Sequence, residues 1–224
     1  MNAKINISKE DLQTKLRELE KFPLIIEKMN QLLLKTGWFY DSKILQSEKI
    51  IELLVKNNLS TLDQLFIDFY SKKQKYIESK CINRFPHRDN IIKKAFRAYR
   101  KKDYDISIVL LLTQVDGMFR DLSTKDFFSK NKKFNPIEWI KRVEKDKNNS
   151  LMTAGLAPLK ESEILAADFG EAKKYPNVIN RNLILHGEDL KFGSKINSLK
   201  TISMINYISI VVYDIIVNNK ILDF

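Results

Sequence analysis

The sequence predicts an all-α protein, an antiparallel helical bundle carrying an N-terminal helical extension. Three observations predict it. Apolar residues recur at three- and four-residue spacing along most of the chain. No segment alternates apolar and polar residues as a half-buried strand would. Only 6 Gly and 5 Pro in 224 residues leave little material for the many turns of a β-rich fold.

Ser8 is placed to cap a first amphipathic helix carrying Leu12, Leu16 and Leu19. Pro23 is expected to interrupt it and to open a second helix, with Leu24, Ile25, Met29, Leu32 and Leu33, that Gly37 closes. Trp38, Phe39 and Tyr40 form an aromatic cluster, read as an anchor between helices ahead of a base-stacking platform. Ile44, Leu45, Ile50, Ile51 and Leu54 mark a third helix ended at Asn57-Asn58. Ser60 or Thr61 is expected to cap a fourth with Leu62, Leu65, Phe66 and Phe69. The turn Asn83-Arg84-Phe85-Pro86 divides the chain into an N-terminal helical region, 1–82, and a second helical domain, 83–224.

The next helix carries Ile91, Ile92, Ala95, Phe96 and Tyr99 on one stripe, and Lys93, Lys94, Arg97, Arg100 and Lys101 around it. Basic side chains interleaved with aromatics suit an RNA backbone, and a solvated basic face suits the pattern almost as well. A long helix over 103–121 holds Asp116 within the apolar run 110–119. A carboxylate there needs a partner, either Arg181 or a hydrogen bond to a loop. Gly117 is expected to admit a neighbouring helix. Phe127, Phe128, Phe134, Ile137, Trp139, Ile140 and Val143 suggest short helices packed on the bundle, with a solvated loop over 146–150 and a further helix over 161–169. Ser194 caps the last helix, whose apolar positions run from Ile196 to Ile216.

A net charge of +11 favours polyanionic partners such as RNA or DNA, and a Lys-rich solvated surface accounts for the charge equally well. The lone Cys81 cannot form an internal disulfide, which fits a reducing compartment, and is read as a small buried hydrophobe. No signal peptide is expected, and the run from Ile202 to Val217 reads as too short to span a bilayer. These signs place the protein in the cytoplasm, away from membranes. Phosphate loops, paired cysteines and the nucleophile elbow of serine hydrolases are absent from the sequence, and two histidines with one cysteine make no zinc site. No metal or cofactor is expected.

The segment 175–190 draws the remaining chemistry together. Pro176 suits a helix start and Gly187 a helix end, so a short helix is expected from Pro176 to His186. Asn182 and His186, four apart, share a face; Arg181 and His186 lie about 140° apart and roughly 7 Å along the axis. A shared site is easier if the helix end is bent, and easier still if a second subunit supplies the other half. An imidazole and a guanidinium suffice to cleave RNA through its own 2′-hydroxyl. The His moves the proton and the Arg neutralises the phosphorane. On spacing alone, a satisfied core histidine near a helix end is the favoured reading.

The string Asn180-Arg181-Asn182-Leu183-Ile184-Leu185-His186-Gly187 resembles the Arg-x(4–6)-His motif of the HEPN superfamily (higher eukaryotes and prokaryotes nucleotide-binding domain), in the Arg-Asn-x-x-x-His-Gly form of bacterial abortive-infection proteins. Phe85-Pro86-His87-Arg88, Tyr104-Asp105-Ile106-Ser107, the run 111–117 and the run 193–200 are similar to other parts of such domains, so the likeness covers roughly 85–217. The resemblance implies a dimer in which Arg and His of both protomers face one cleft, and a metal-independent endoribonuclease acting as toxin or antiviral effector. It implies Arg181 on the phosphate, His186 as acid/base, Asn182 orienting both, and Asp116 in support. The position two after the His, a Tyr in toxins silenced by a nucleotidyltransferase, is Glu188, so that control is not expected. The partners expected are RNA, a second copy of the chain, and an antitoxin or phage-encoded trigger protein. A non-catalytic module that binds RNA or a partner protein, as sensor or scaffold, is the alternative.

Overall fold

The computed structural model describes residues 9–44, 46–128, 136–137, 139–141 and 154–218, without the side chains of 9–20, 162 and 218. Among the described residues the regular elements are helices and none is a strand, so the fold is all-α. Helix α1 (Lys9–Leu34) leads through a 3-10 turn (Ser42–Ile44) to α2 (Ser47–Val55) and α3 (Leu59–Arg84). A second 3-10 turn (Pro86–Arg88) precedes α4 (Asp89–Lys101) and α5 (Tyr104–Ser123). Then come α6 (Ala157–Lys160), a 3-10 turn (Ser162–Ala166), α7 (Phe169–Ala172), α8 (Arg181–Leu185) and α9 (Lys195–Asn206). A π-helical segment (Tyr207–Val212) and α10 (Tyr213–Asn218) complete it.

Helix α9 is the pillar. It packs on α3 and α5, which both pack on α4, while α1 lies against α6 and α2. Every side chain from Ser198 to Asn206 is buried, more than a single apolar stripe would bury. Small residues make this possible: Ser198 donates to Ser107 at 3.1 Å, drawing α9 close to α5. The helical stretch Lys195–Val217 is long and apolar enough, by length and composition, to cross a membrane, because Lys195–Thr201 extend the apolar run that begins at Ile202. Most of it is buried inside the protein, as a core helix is. Where the wide π turn frees carbonyls, Arg84 donates to Ser209 O at 2.6 Å and Ile210 O at 3.2 Å, and pairs with Asp214 at 2.7 Å.

Local expectations change in three places. Pro23 does not end α1; the helix continues, because Ile26, Met29, Leu33 and Leu34 beyond it are all buried and their packing outweighs one missing N–H bond. Gly37, at φ +85°, does close the turn that follows. Helix α3 is capped by Asn58, whose Oδ1 accepts from the Thr61 amide at 3.2 Å, and not by Ser60 or Thr61. The stretch 161–169 is mainly a 3-10 turn. Trp38 is fully buried, stacks on Phe66 and Tyr70, and donates to Asp63 at 2.7 Å, so the aromatic cluster is an anchor. The Ser8 cap, Leu45, Phe134, Val143 and the 146–150 loop lie outside the described residues, as do the side chains of Leu12, Leu16 and Leu19.

Candidate functional site

The site begins with a cap. Asn180 Oδ1 accepts from the amides of Asn182 at 2.9 Å and Leu183 at 3.1 Å, while its Nδ2 donates to Ala167 O at 2.7 Å. This buried side chain sets the helix start, so α8 runs from Arg181 to Leu185 and not from Pro176. Pro176 lies in a turn of the connector 173–180. That connector is held from below, since the buried Lys200 of α9 donates through Nζ to Asn177 O at 2.7 Å. Burial pushes the Lys200 amine below its ordinary pKa, against the opposing pull of Asp63. Any side chain at position 37 would meet Asn177 O at 2.6 Å, so the end of α1 also abuts this connector.

Arg181 is half-buried at the first position of α8. Its Nη1 donates to Asn182 Oδ1 at 3.1 Å, and its Cζ lies 5.9 Å from the centroid of the Phe128 ring. Asn182 in turn donates to Ala166 O at 2.7 Å, which ties α8 to the 3-10 turn before it. The guanidinium is thereby fixed in direction. His186 occupies the position after Leu185 with its ring exposed. Its backbone amide bonds to Asn182 O at 2.9 Å, and its imidazole makes no hydrogen bond or ion pair with any described residue. The expected core histidine is therefore not what position 186 holds. Neither side chain is sealed inside the subunit, and no hydrogen bond joins one to the other.

Asp116 does not meet Arg181. Its Oδ1 accepts from the Phe127 amide at 2.9 Å, and Oδ2 lies 3.6 Å from Arg120, which also pairs with Asp126. The loop alternative is the one observed. Phe127 stacks edge-on against Phe128 at 4.8 Å, so Asp116 reaches Arg181 only through the ring beneath it. Gly117 makes room for a side chain and not a helix: a Cβ there would collide with the Arg88 guanidinium. Arg88 forks onto Asp121 at 2.7 and 2.9 Å, and His87 joins the same carboxylate at 2.8 Å. Burial alone would raise the Asp121 pKa, yet these donors hold it below the ordinary value.

Of the basic residues on α4, Lys93 pairs with Asp89 at 2.7 Å and Arg100 with Glu78 at 2.7 Å. Lys94, Arg97 and Lys101 are exposed and make no ion pair with described residues. Phe96 and Tyr99 are buried in the core and unavailable for stacking on bases, since they form the stripe that packs α4. Cys81 is buried, and burial pushes its thiol up to about 12. Among the described residues no cluster of three or more His, Cys, Asp or Glu is arranged to hold a metal ion.

The sequence gives little warning of Phe128 and Lys200. Phe128 is one of several aromatics in its region, and Lys200 is the one charged residue between Lys195 and Asp214, which is the one visible signal. An open cleft of about 290 Å³ beside α8 is lined by Glu163, Glu171 and Lys174 among others, and two more cross α3; none of the three is lined by Arg181 or His186. No protein-family model, curated protein or solved structure matches this chain. The likeness to HEPN proteins therefore rests on the resembling sequence segments within 85–217 alone.

Proposed function

We propose that this protein is a metal-independent endoribonuclease of HEPN type, a cytoplasmic toxin or anti-phage effector, with Arg181 and His186 in a composite site of a homodimer. One observation carries the reading: an exposed, unengaged imidazole stands one short helix away from a guanidinium whose direction Asn182 and Phe128 fix. In this reading Arg181 works with His186 of a second subunit, which the lack of any hydrogen bond between the two side chains within one chain supports. Exposed apolar residues beside His186 support a covered surface there. Leu190 is 85% exposed and Leu185 37%. Gly193 lies against Asp105 at the start of α5, next to Ile106, which is 52% exposed.

In the reaction, one His186 takes the proton from the RNA 2′-hydroxyl, and the 2′-oxygen attacks the adjacent phosphorus in line. Arg181 neutralises the charge on the non-bridging oxygens as the P–O5′ bond breaks. The same His186, now carrying that proton, gives it to the departing 5′-oxygen. The products are a 2′,3′-cyclic phosphate and a 5′-hydroxyl. Asn182 orients Arg181, and Asp116 holds the loop that carries Phe128. Incubation of the purified protein with total RNA in EDTA tests this. Cleavage that His186→Ala reduces by about 10²–10⁴ supports the enzyme. Intact RNA, bound or unbound, points to the non-catalytic module.

A further inference from the structure

We propose that the outer face of α3, together with Lys43, is a binding site for single-stranded nucleic acid, separate from α8 and from the basic helix α4. Tyr76 is 37% exposed at its centre. At about 100° per residue, Lys72, Lys73 and Lys80 fall within about 60° of Tyr76 around the helix. Lys43, from the 3-10 turn, donates to the Tyr76 hydroxyl and sits 4.0 Å from its ring centroid; Lys80 Nζ lies 5.7 Å from the same ring. None of these four lysines pairs with a carboxylate among the described residues. Glu78, the carboxylate nearest in sequence, points to the other side of α3 and is held by Arg100.

Two ammonium groups on one exposed aromatic ring, with two more unpaired lysines on the same helix face, cost electrostatic repulsion, and a bound polyanion relieves it. The ring selects among polyanions. A phosphate backbone draws Lys43 and Lys80 off the π face, and an unpaired base stacks in their place. A duplex keeps its bases inside and cannot make that contact. The surface continues as a trough: clefts of about 500 and 560 Å³ meet along Gln64, Asp68 and Lys72. Asp68, at the far end from Tyr76, is bonded by Gln64 at 2.8 Å and limits the site on that side. This assigns Lys43 and the Lys72–Lys80 face of α3 to the capture of single strands, and it stands whether or not the protein cleaves RNA.

The test uses a fluorescein-labelled single-stranded DNA, which lacks the 2′-hydroxyl, with the same sequence as a duplex and with the full wild-type chain. Lys72→Ala combined with Lys80→Ala should weaken single-strand binding at least tenfold and flatten its salt dependence by about one to two in log–log slope. Tyr76→Ser should weaken it about tenfold, leave duplex binding unchanged, and be rescued by Tyr76→Phe. Lys94→Ala combined with Lys101→Ala removes equal charge from α4 and should cost less than threefold. Equal losses from the two lysine pairs, indifference to Tyr76, or absence of binding would each overturn the proposal. So would tighter binding to anionic lipid vesicles than to the single strand.

Discussion

Asp116 Oδ1 accepts a hydrogen bond from the backbone amide of Phe127 at 2.9 Å. The next residue, Phe128, supplies the ring beside Arg181. A carboxylate expected to pair with the arginine therefore acts on it at one remove, by fixing the loop. Asp116→Asn keeps an acceptor for the amide and should retain most cleavage activity. Asp116→Ala leaves that amide without its partner and should lower stability by about 1–3 kcal/mol. Cleavage should fall with it through misplaced Arg181, and Phe128→Ala should reproduce the loss. Chemical denaturation and initial rates on a fluorogenic RNA read both. Loss of activity in the folded Asn variant would return Asp116 to the chemistry.

Asn180 serves α8 twice, as acceptor for two amides and as donor to Ala167 O. Asn180→Ala should cost about 1 kcal/mol for the cap alone, and Asn180→Asp should keep the acceptor. The larger effect is expected on cleavage, since a frayed five-residue helix no longer aims Arg181. Thermal melts beside cleavage rates separate the two. An unchanged rate in Asn180→Ala contradicts this role.

Lys200 carries a pH signature. Its pKa in the fold is depressed by burial, so its charged form is disfavoured there. That penalty is complete below the folded pKa and disappears as pH climbs toward about 10.4, the unfolded value. Stability of the wild type relative to Lys200→Met should therefore improve from neutral pH to that limit. Losing the bond to Asn177 O should also speed amide exchange over 175–180. A stability difference flat with pH would contradict the assignment.

Cys81 offers a simple check on the core. With its thiol pushed up to about 12 and its side chain buried, it should stay unlabelled by iodoacetamide at pH 8 while the protein is folded. It should react promptly in denaturant. Labelling of the native protein at the rate of a free thiol would show that α3 opens.

Periodicity was legible in part. On α4, Ile92, Ala95, Phe96 and Tyr99 are buried as the 3.6-residue repeat requires, while Ile91 is exposed; on α5, Ile106 is exposed and the buried face runs through Ile108, Leu111, Leu112 and Val115. Caps were legible where a Ser stood alone, as at Ser194, which accepts from the Asn197 amide at 3.2 Å. They misled where neighbours competed, as Asn58 did with Ser60 and Thr61. Pro23 misled for a different reason: local propensity says helix break, and tertiary packing of Ile26, Met29 and Leu33 overrides it. Within the candidate site, Arg181, Asn182 and His186 were visible as a motif. Phe128 and Lys200 were not, since each acts across a gap of more than twenty residues that only the packed chain closes. Phe96 and Tyr99 illustrate the opposite error, aromatics beside lysines that face inward because α4 needs them as core.

The central claim is that Arg181 of one protomer works with His186 of the other. Arg181→Ala and His186→Ala, each purified and each inactive alone, can be unfolded together, refolded as a mixture and assayed on RNA in EDTA. Random pairing makes half of the dimers mixed, and each mixed dimer holds one intact Arg–His pair and one lacking both groups. Activity should return to about a quarter of that of the wild type. A mixture as inactive as its parents, with dimers shown to have exchanged, would contradict a site shared between protomers.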